Sequence, residues 1–191
     1  MKISFLASHG GSSAKAIIAA MTAGELDAEP GILITNNVDS SIYHWCRENG
    51  FPVSHISTRT HGDGEDEAVL AALVEAQTDV VVCSGYMKKI GPITLNHFSG
   101  RILNIHPSLL PSHGGRGLYG DRVHAAVLEA GDTETGATVH VVTAEYDEGP
   151  VVGQSRVAVS ATDDVETLRQ KVQATEPELY IRCLKSFLTS L

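Results

Sequence analysis

Short apolar runs alternate with segments of helical periodicity through the first 106 residues. The runs predict buried strands, because they are rich in β-branched residues and end in turn residues. We predict strands over residues 3–7, 31–35, 53–56, 79–83 and 101–105, and helices over residues 14–21, 65–77 and 93–98. A further helix, which Asp39 or Ser40 can cap, runs through Trp45. Strands and helices that alternate at this spacing are typical of an open parallel sheet with helices on both faces.

The second half of the chain has a different pattern. Residues 107–120 are rich in glycine and proline and predict a long irregular loop. A helix over residues 124–130 precedes two alternating segments, 137–142 and 151–159, which predict an antiparallel hairpin. The fold class is therefore α/β: a doubly wound, mostly parallel sheet with an antiparallel edge hairpin, completed by a helix over residues 165–188. No linker-like composition interrupts the chain, so we expect one domain over residues 1–191.

Composition and charge narrow the classes of function. The 191 residues carry a net charge of −9 with no clustering of lysine and arginine, so nucleic acid is not an expected partner. No run approaches the length of a membrane span, and no membrane partner is expected. The three cysteines are widely spaced and form no CxxC pair, which favours free thiols in a cytoplasmic protein. The histidines show no metal-binding spacing, so no metal is expected.

A glycine-rich turn follows the first strand. Gly10 and Gly11 would let the backbone approach an anion closely, and Ser12 and Ser13 add hydroxyl groups at the start of a helix. The turn is neither a GxGxxG fingerprint nor a P-loop. Two interpretations stay open, a phosphate site and a tight strand-to-helix turn that a serine caps.

The fifth predicted strand ends in two polar residues, Asn104 and His106. Alternate residues of a strand share a face, so both side chains project the same way, roughly 6–7 Å apart. Pro107 ends the strand and places His106 at the sheet edge where ligands bind in such folds. An amide that stabilises an oxyanion beside an imidazole that moves protons suits acyl transfer. The alternative is a capped strand end whose polar side chains are satisfied by other groups.

Asp147 lies in a turn that continues with Glu148, Gly149 and Pro150. A carboxylate before Gly-Pro is usually solvated. If the fold brought Asp147 beside His106, its charge would raise the pKa of the imidazole and hold the ring protonated at neutral pH.

The run Asn104-Ile105-His106-Pro107-Ser108-Leu109-Leu110-Pro111, followed about forty residues later by Asp147-Glu148-Gly149-Pro150, resembles the folate-dependent formyltransferases. The segments Ser8–Ser13 and Ser84–Met87 sharpen the resemblance towards the members that act on glycinamide ribonucleotide in purine synthesis. The resemblance covers essentially the whole chain. It implies a Rossmann-like sheet, 10-formyltetrahydrofolate as the donor and small-molecule substrates only, and homodimers are common in such families.

The resemblance also implies roles for individual residues. Asn104 would bind the formyl oxygen, His106 would donate a proton to the tetrahedral intermediate, and Asp147 would keep His106 charged. The remaining implied roles are the acceptor phosphate and ribosyl site at Gly10, Gly11, Ser12, Ser13 and Glu176, the folate pocket at Met87, Lys88, Lys89, Ile90, Val142, Thr143 and Glu145, and a further active-site histidine at His124.

Several alternatives share the central motif. A nucleotide amino-sugar formyltransferase is possible, because the Gly10–Ser13 loop departs from the usual family sequence. A formyltetrahydrofolate hydrolase usually carries an extra N-terminal domain, and a methionyl-tRNA formyltransferase a basic C-terminal one. A non-catalytic binding module would have no need for Asn104, His106 and Asp147 together.

Overall fold

The computed structural model describes residues 1–191 and contains seven strands in the order β3-β2-β1-β4-β5-β6-β7. The chain divides into two compact units, Met1–Leu103 and Asn104–Leu191. The predicted α/β class, a mostly parallel sheet with flanking helices and an antiparallel edge hairpin, is confirmed. No helix combines the length and the apolar character needed to cross a membrane. The expectation of one functional domain stays a prediction.

The first unit is built on parallel strands. Its elements are β1 Lys2–Leu6, α1 Ser12–Thr22, β2 Glu29–Thr35, α2 Ser41–Glu48, β3 Val53–His55, α3 Thr58–His61, a 3₁₀ turn Gly62–Gly64, α4 Glu65–Glu75, β4 Val80–Cys83 and α5 Pro92–His97. Strand β1 pairs with both β2 and β4, in parallel, and Ile3 lies opposite Val80. All four residues of β4 are buried, as expected for a parallel strand covered on both faces.

Local signals explain where several helices begin. Helix α2 starts after Ser40, whose hydroxyl accepts a hydrogen bond from the Tyr43 N–H, in agreement with the predicted cap. Helix α4 carries three acidic residues in its first turn, where the helix dipole favours negative charge. The short helix α3 and the 3₁₀ turn were not predicted, since neither is long enough to show helical periodicity.

The second unit holds the hairpin and the longest helix. Strand β5, Ile102–His106, runs across the division, and α6 Asp121–Ala130, β6 Glu134–Val141, β7 Val151–Ala158 and α7 Val165–Leu188 follow. Strands β6 and β7 are antiparallel, and α7 packs on both. Residues between His106 and Asp121 form no helix or strand, as predicted.

Strand β6 begins at Glu134, three residues earlier than the sequence pattern predicts. The pattern missed these residues because Gly136 interrupts the alternation that indicates a strand. A Cβ atom at Gly136 would lie 1.8 Å from the Ser155 carbonyl oxygen. The glycine therefore permits close approach of the two strands, although glycine in a strand is usually a weakening residue. Helix α6 likewise begins at Asp121 rather than at His124.

Candidate active site

The end of strand β5 places Asn104 and His106 in the second unit. His106 is buried, with 4% of its surface exposed, and Asn104 is half-buried. The His106 Nε2–H group donates a hydrogen bond to the His113 carbonyl oxygen at 2.8 Å. This bond fixes the orientation of the ring and directs the other nitrogen, Nδ1, towards Asp147.

The turn between β6 and β7 holds the carboxylate beside His106. Asp147 Oδ2 lies 3.4 Å from His106 Nδ1 and accepts a hydrogen bond from the Gly115 N–H at 3.0 Å. Asp147 adopts the left-handed region with φ 59°, which aspartate tolerates better than most residues. A Cβ atom at Gly149 would lie 1.7 Å from the Val141 carbonyl oxygen, so the turn depends on this glycine. The fold thus positions Asp147 through local backbone constraints.

A second histidine, His140, completes the group, and the sequence analysis did not single it out. His140 is 2% exposed; its Nδ1–H donates to the Val141 carbonyl oxygen at 3.1 Å. Its Nε2 accepts a hydrogen bond from Asn104 Nδ2 at 3.1 Å and lies 3.5 Å from Asp147 Oδ1. The contact uses one N–H of the Asn104 amide and leaves the other available. His140 could have been found from the sequence as a histidine within an apolar strand, because a buried polar side chain there must find hydrogen-bond partners.

Burial is the largest influence on the pKa of His106. Loss of hydration lowers this pKa, and the nearby His140 and His113 rings act in the same direction. The Asp147 carboxylate and the His113 carbonyl oppose this effect but do not overcome it. The pKa of His106 therefore lies below its ordinary value. The carboxylate raises the pKa of the imidazole as expected, but desolvation lowers it more, so the role of Asp147 in keeping His106 charged stays a prediction.

Asp147 remains ionised in this environment. Burial raises the pKa of its carboxyl group, but contacts with the His140 and His106 rings and the Gly115 N–H outweigh burial and lower it. The distance of 3.4 Å between Asp147 and His106 Nδ1 is longer than an ordinary N–H···O bond. The His113 carbonyl holds the Nε2 proton of His106, and a proton gained at Nδ1 would face the Asp147 carboxylate.

An amide donor, an imidazole and a carboxylate held this close together can perform acyl transfer. A sequence profile of one family, described as formyl transferase, matches residues 1–184. The chain belongs to the formyl transferase family.

Named members of the formyl transferase family resemble the chain over most of its length. The chloroplastic phosphoribosylglycinamide formyltransferase of Arabidopsis thaliana is 38% identical over 94% of this chain, which spans 63% of that relative's own length. The Escherichia coli phosphoribosylglycinamide formyltransferase is 34% identical over 94% of this chain and 84% of the relative. A crystal structure of the Bacillus halodurans phosphoribosylglycinamide formyltransferase has a TM-score of 0.90 and 34% identity, and the match covers 99% of this chain and 96% of the other.

The glycine-rich turn of this formyl transferase family member lies in the first unit and has features of an anion site. Gly11 has φ 57°, and a Cβ atom there would lie 2.7 Å from the Ile42 Cγ1 atom. Helix α1 begins without a side-chain cap or an acidic residue in its first turn. The Ser13 hydroxyl is buried and has no hydrogen-bond partner. An anion at this helix end would satisfy groups that are otherwise unpaired.

The first predicted folate segment, Met87–Ile90, is tied to the same turn within the first unit. The Met87 N–H donates to the Ser8 hydroxyl at 2.8 Å, and the Ser8 N–H donates to the Gly85 carbonyl at 3.2 Å. Lys88 forms an ion pair with Glu65 at 2.6 Å. The second folate segment lies in the second unit directly after β6, where the Thr143 hydroxyl donates to the Glu145 carbonyl and Val142 is half-buried.

His124 and Glu176 lie on helices of the second unit. His124 on α6 is 1% exposed, and its Nδ1 has no hydrogen-bond partner. Burial is the main cause that lowers the pKa of His124, and His106 is close enough to contribute. Glu176 lies on α7, outside the hydrogen-bonded group around Asp147, and burial raises the pKa of its carboxyl group to about 7. The expectation of no metal stays a prediction.

Proposed function

We propose that the protein transfers the formyl group of 10-formyltetrahydrofolate to the amine of glycinamide ribonucleotide, a step of purine synthesis. The observation that carries the proposal is that Asp147 lies 3.4 Å from His106 and 3.5 Å from His140, which accepts a hydrogen bond from Asn104. Relatives named phosphoribosylglycinamide formyltransferase support this choice of acceptor.

Asn104 would stabilise the charge that develops on the formyl oxygen. Attack of the acceptor amine converts the formyl carbon to a tetrahedral centre and places negative charge on its oxygen. His140 holds one N–H of the Asn104 amide, so the amide is oriented and its second N–H can donate to the oxyanion. Loss of one such donor typically costs a factor of about 10²–10³ in kcat.

His106 would carry the proton between the two nitrogens. The attacking amine gains a positive charge when its C–N bond forms, and neutral His106 accepts that proton at Nδ1. The resulting imidazolium lies beside Asp147 and is stabilised by it. His106 then protonates the folate nitrogen as the second C–N bond breaks, and the ring returns to its neutral form. The sequence analysis expects His106 to act as a proton donor; in this proposal His106 first accepts the proton of the amine and then donates it to the folate nitrogen.

The remaining predicted residues would bind the substrates. We propose that the anion-binding turn holds the acceptor phosphate and that Glu176 contacts its ribosyl glycinamide portion. The donor would bind to the two folate segments, and His124 would contribute a further polar group. The residues with these proposed roles are Gly10, Gly11, Ser12, Ser13, Glu176, Met87, Lys88, Lys89, Ile90, Val142, Thr143, Glu145 and His124.

We further propose that residues 1–191 act as one functional domain in the cytoplasm. The three cysteines are buried and form no disulfide, which supports a reducing compartment. The charge of −9 supports small-molecule partners rather than nucleic acid. A homodimer is proposed from the family resemblance. The absence of a metal, a membrane partner and bound nucleic acid is proposed from the histidine spacing, the short apolar runs and the net charge.

The test supplies 10-formyltetrahydrofolate with one of three acceptors and follows the release of tetrahydrofolate. We expect turnover with glycinamide ribonucleotide and none with a nucleotide amino-sugar or with water alone. Turnover only with the amino-sugar would reassign the acceptor. Release of formate without an acceptor would show a hydrolase and refute transfer.

A further inference from the structure

Three consecutive residues of the loop after β5, His113–Gly115, lie against the side chains of His106 and Asp147. The His113 carbonyl accepts the hydrogen bond from His106 Nε2 at 2.8 Å, and the Gly115 N–H donates to Asp147 Oδ2 at 3.0 Å. Gly114, between them, packs so closely that a Cβ atom would lie 3.3 Å from Asp147 Cβ. The orientation of His106 and the position of Asp147 therefore depend on where this segment, His113–Gly115, is held.

The side chain of His113 is anchored by a residue outside the catalytic group. Its Nε2 lies 2.6 Å from Asp132 Oδ2. Asp132 follows the end of helix α6, and its N–H donates to the Val127 carbonyl at 3.3 Å. The carboxylate thus stands on a helix end with a defined backbone, which makes it a firm anchor for a loop without secondary structure.

The backbone of His113 needs such an anchor. His113 adopts φ 52°, in the left-handed region that few residues other than glycine occupy. Residues in this conformation carry a cost on the order of 1 kcal/mol and persist where neighbouring contacts enforce them. Only three non-glycine residues of the chain have a positive φ, and two of them, His113 and Asp147, belong to this arrangement.

We infer that the His113–Asp132 pair is a positioning device that holds the His113–Gly115 segment against His106 and Asp147. The inference rests on the proposed function, in which His106 must keep its Nε2 proton on the His113 carbonyl while Nδ1 exchanges a proton. Neither His113 nor Asp132 would take part in the chemical step. If the His113–Asp132 pair were instead an ordinary surface ion pair, its removal would change stability little and the rate of formyl transfer not at all.

The first experiment compares Asp132→Ala, Asp132→Glu and the control Glu134→Ala. Glu134 lies two residues after Asp132 and forms an exposed ion pair with Arg156, so it is a matched control from the same region. We expect Asp132→Ala to lower kcat on the order of tenfold with little change in either KM, because misplaced catalytic groups act on the chemical step. Asp132→Glu should recover part of the loss, and Glu134→Ala should keep wild-type kcat. Equal kcat in wild type and Asp132→Ala would overturn the inference.

The second experiment measures the His106 imidazole by NMR titration in the protein without substrates. The groups that face this ring are the Asp147 carboxylate, the His113 carbonyl and ring, and the rings of His140 and His124. Because the His113 carbonyl raises the pKa of His106, Asp132→Ala should lower that pKa further, whereas Glu134→Ala should not. An unchanged titration would contradict the inference. Since no formyl transfer is needed, this result stands even if the proposed function fails.

Discussion

Replacement of Glu176 by glutamine should stabilise the protein at high pH and leave its stability unchanged at low pH. Burial raises the pKa of the carboxyl group from 4.5 to about 7 in the folded protein. A group with a raised folded pKa contributes stability that is fully present below its unfolded pKa and is lost as the pH rises through its folded pKa. The window for Glu176 is therefore pH 4.5 to about 7.

The shift from 4.5 to about 7 sets the magnitude. A difference of about two to three pKa units, at roughly 1.4 kcal/mol for each unit, corresponds to about 3 kcal/mol. Glu176 is half-buried rather than fully enclosed, so solvent screening reduces the expected gain at pH 8 to about 1–3 kcal/mol. Glutamine keeps the shape of the side chain and cannot ionise, so it removes the cost of a buried carboxylate.

Urea unfolding of wild type and Glu176→Gln at pH 4.5 and pH 8 measures this gain. The histidines titrate equally in both proteins and cancel in the difference. Glu178→Gln is the matched control, because Glu178 lies two residues further along α7 and is exposed. We expect the Glu176→Gln difference to appear only at pH 8. A difference of the same size at both pH values, or a less stable variant at pH 8, would refute the reasoning.

Three further predictions concern the site. Asp147→Asn should shift the acidic limb of the kcat–pH profile to lower pH, because the carboxylate raises the pKa of His106; an unchanged limb would contradict this. Gly114→Ala should lower kcat more than thermal stability, because its Cβ would crowd Leu110 and Asp147, whereas Gly64→Ala has open space and should do neither. Ser13→Ala should raise the KM for the acceptor and stabilise the unliganded protein by about 1 kcal/mol, since a buried unsatisfied hydroxyl is removed. Loss of stability in that variant would argue against an unpaired hydroxyl.

Much of the fold could be predicted from sequence because its strongest signals are local. The buried run at β4 and the Ser40 cap of α2 follow from neighbouring residues alone. The start of β6 could not be predicted in this way. Gly136 lies in that strand because Ser155 approaches it across the hairpin, and no local pattern contains that information.

The site shows the same division between local and long-range information. Strand alternation placed Asn104 and His106 on one strand end, and family resemblance supplied Asp147. The contacts that control the charge and orientation of His106 come from His113 and His140, which lie 7 and 34 residues away in sequence. The sequence indicated the attraction of Asp147, which raises the pKa of His106, but not the depth of burial, which lowers it.

The central claim is that Asn104, His106 and Asp147 together perform formyl transfer. Single-turnover rates with saturating donor and glycinamide ribonucleotide test it most directly in Asn104→Ala, His106→Ala and Asp147→Asn. Thermal unfolding of each variant serves to confirm an intact fold. We expect each rate to fall by a factor of about 10²–10⁴, the usual contribution of general acid–base and oxyanion groups. A folded His106→Ala variant that transfers the formyl group at the wild-type rate would contradict the account.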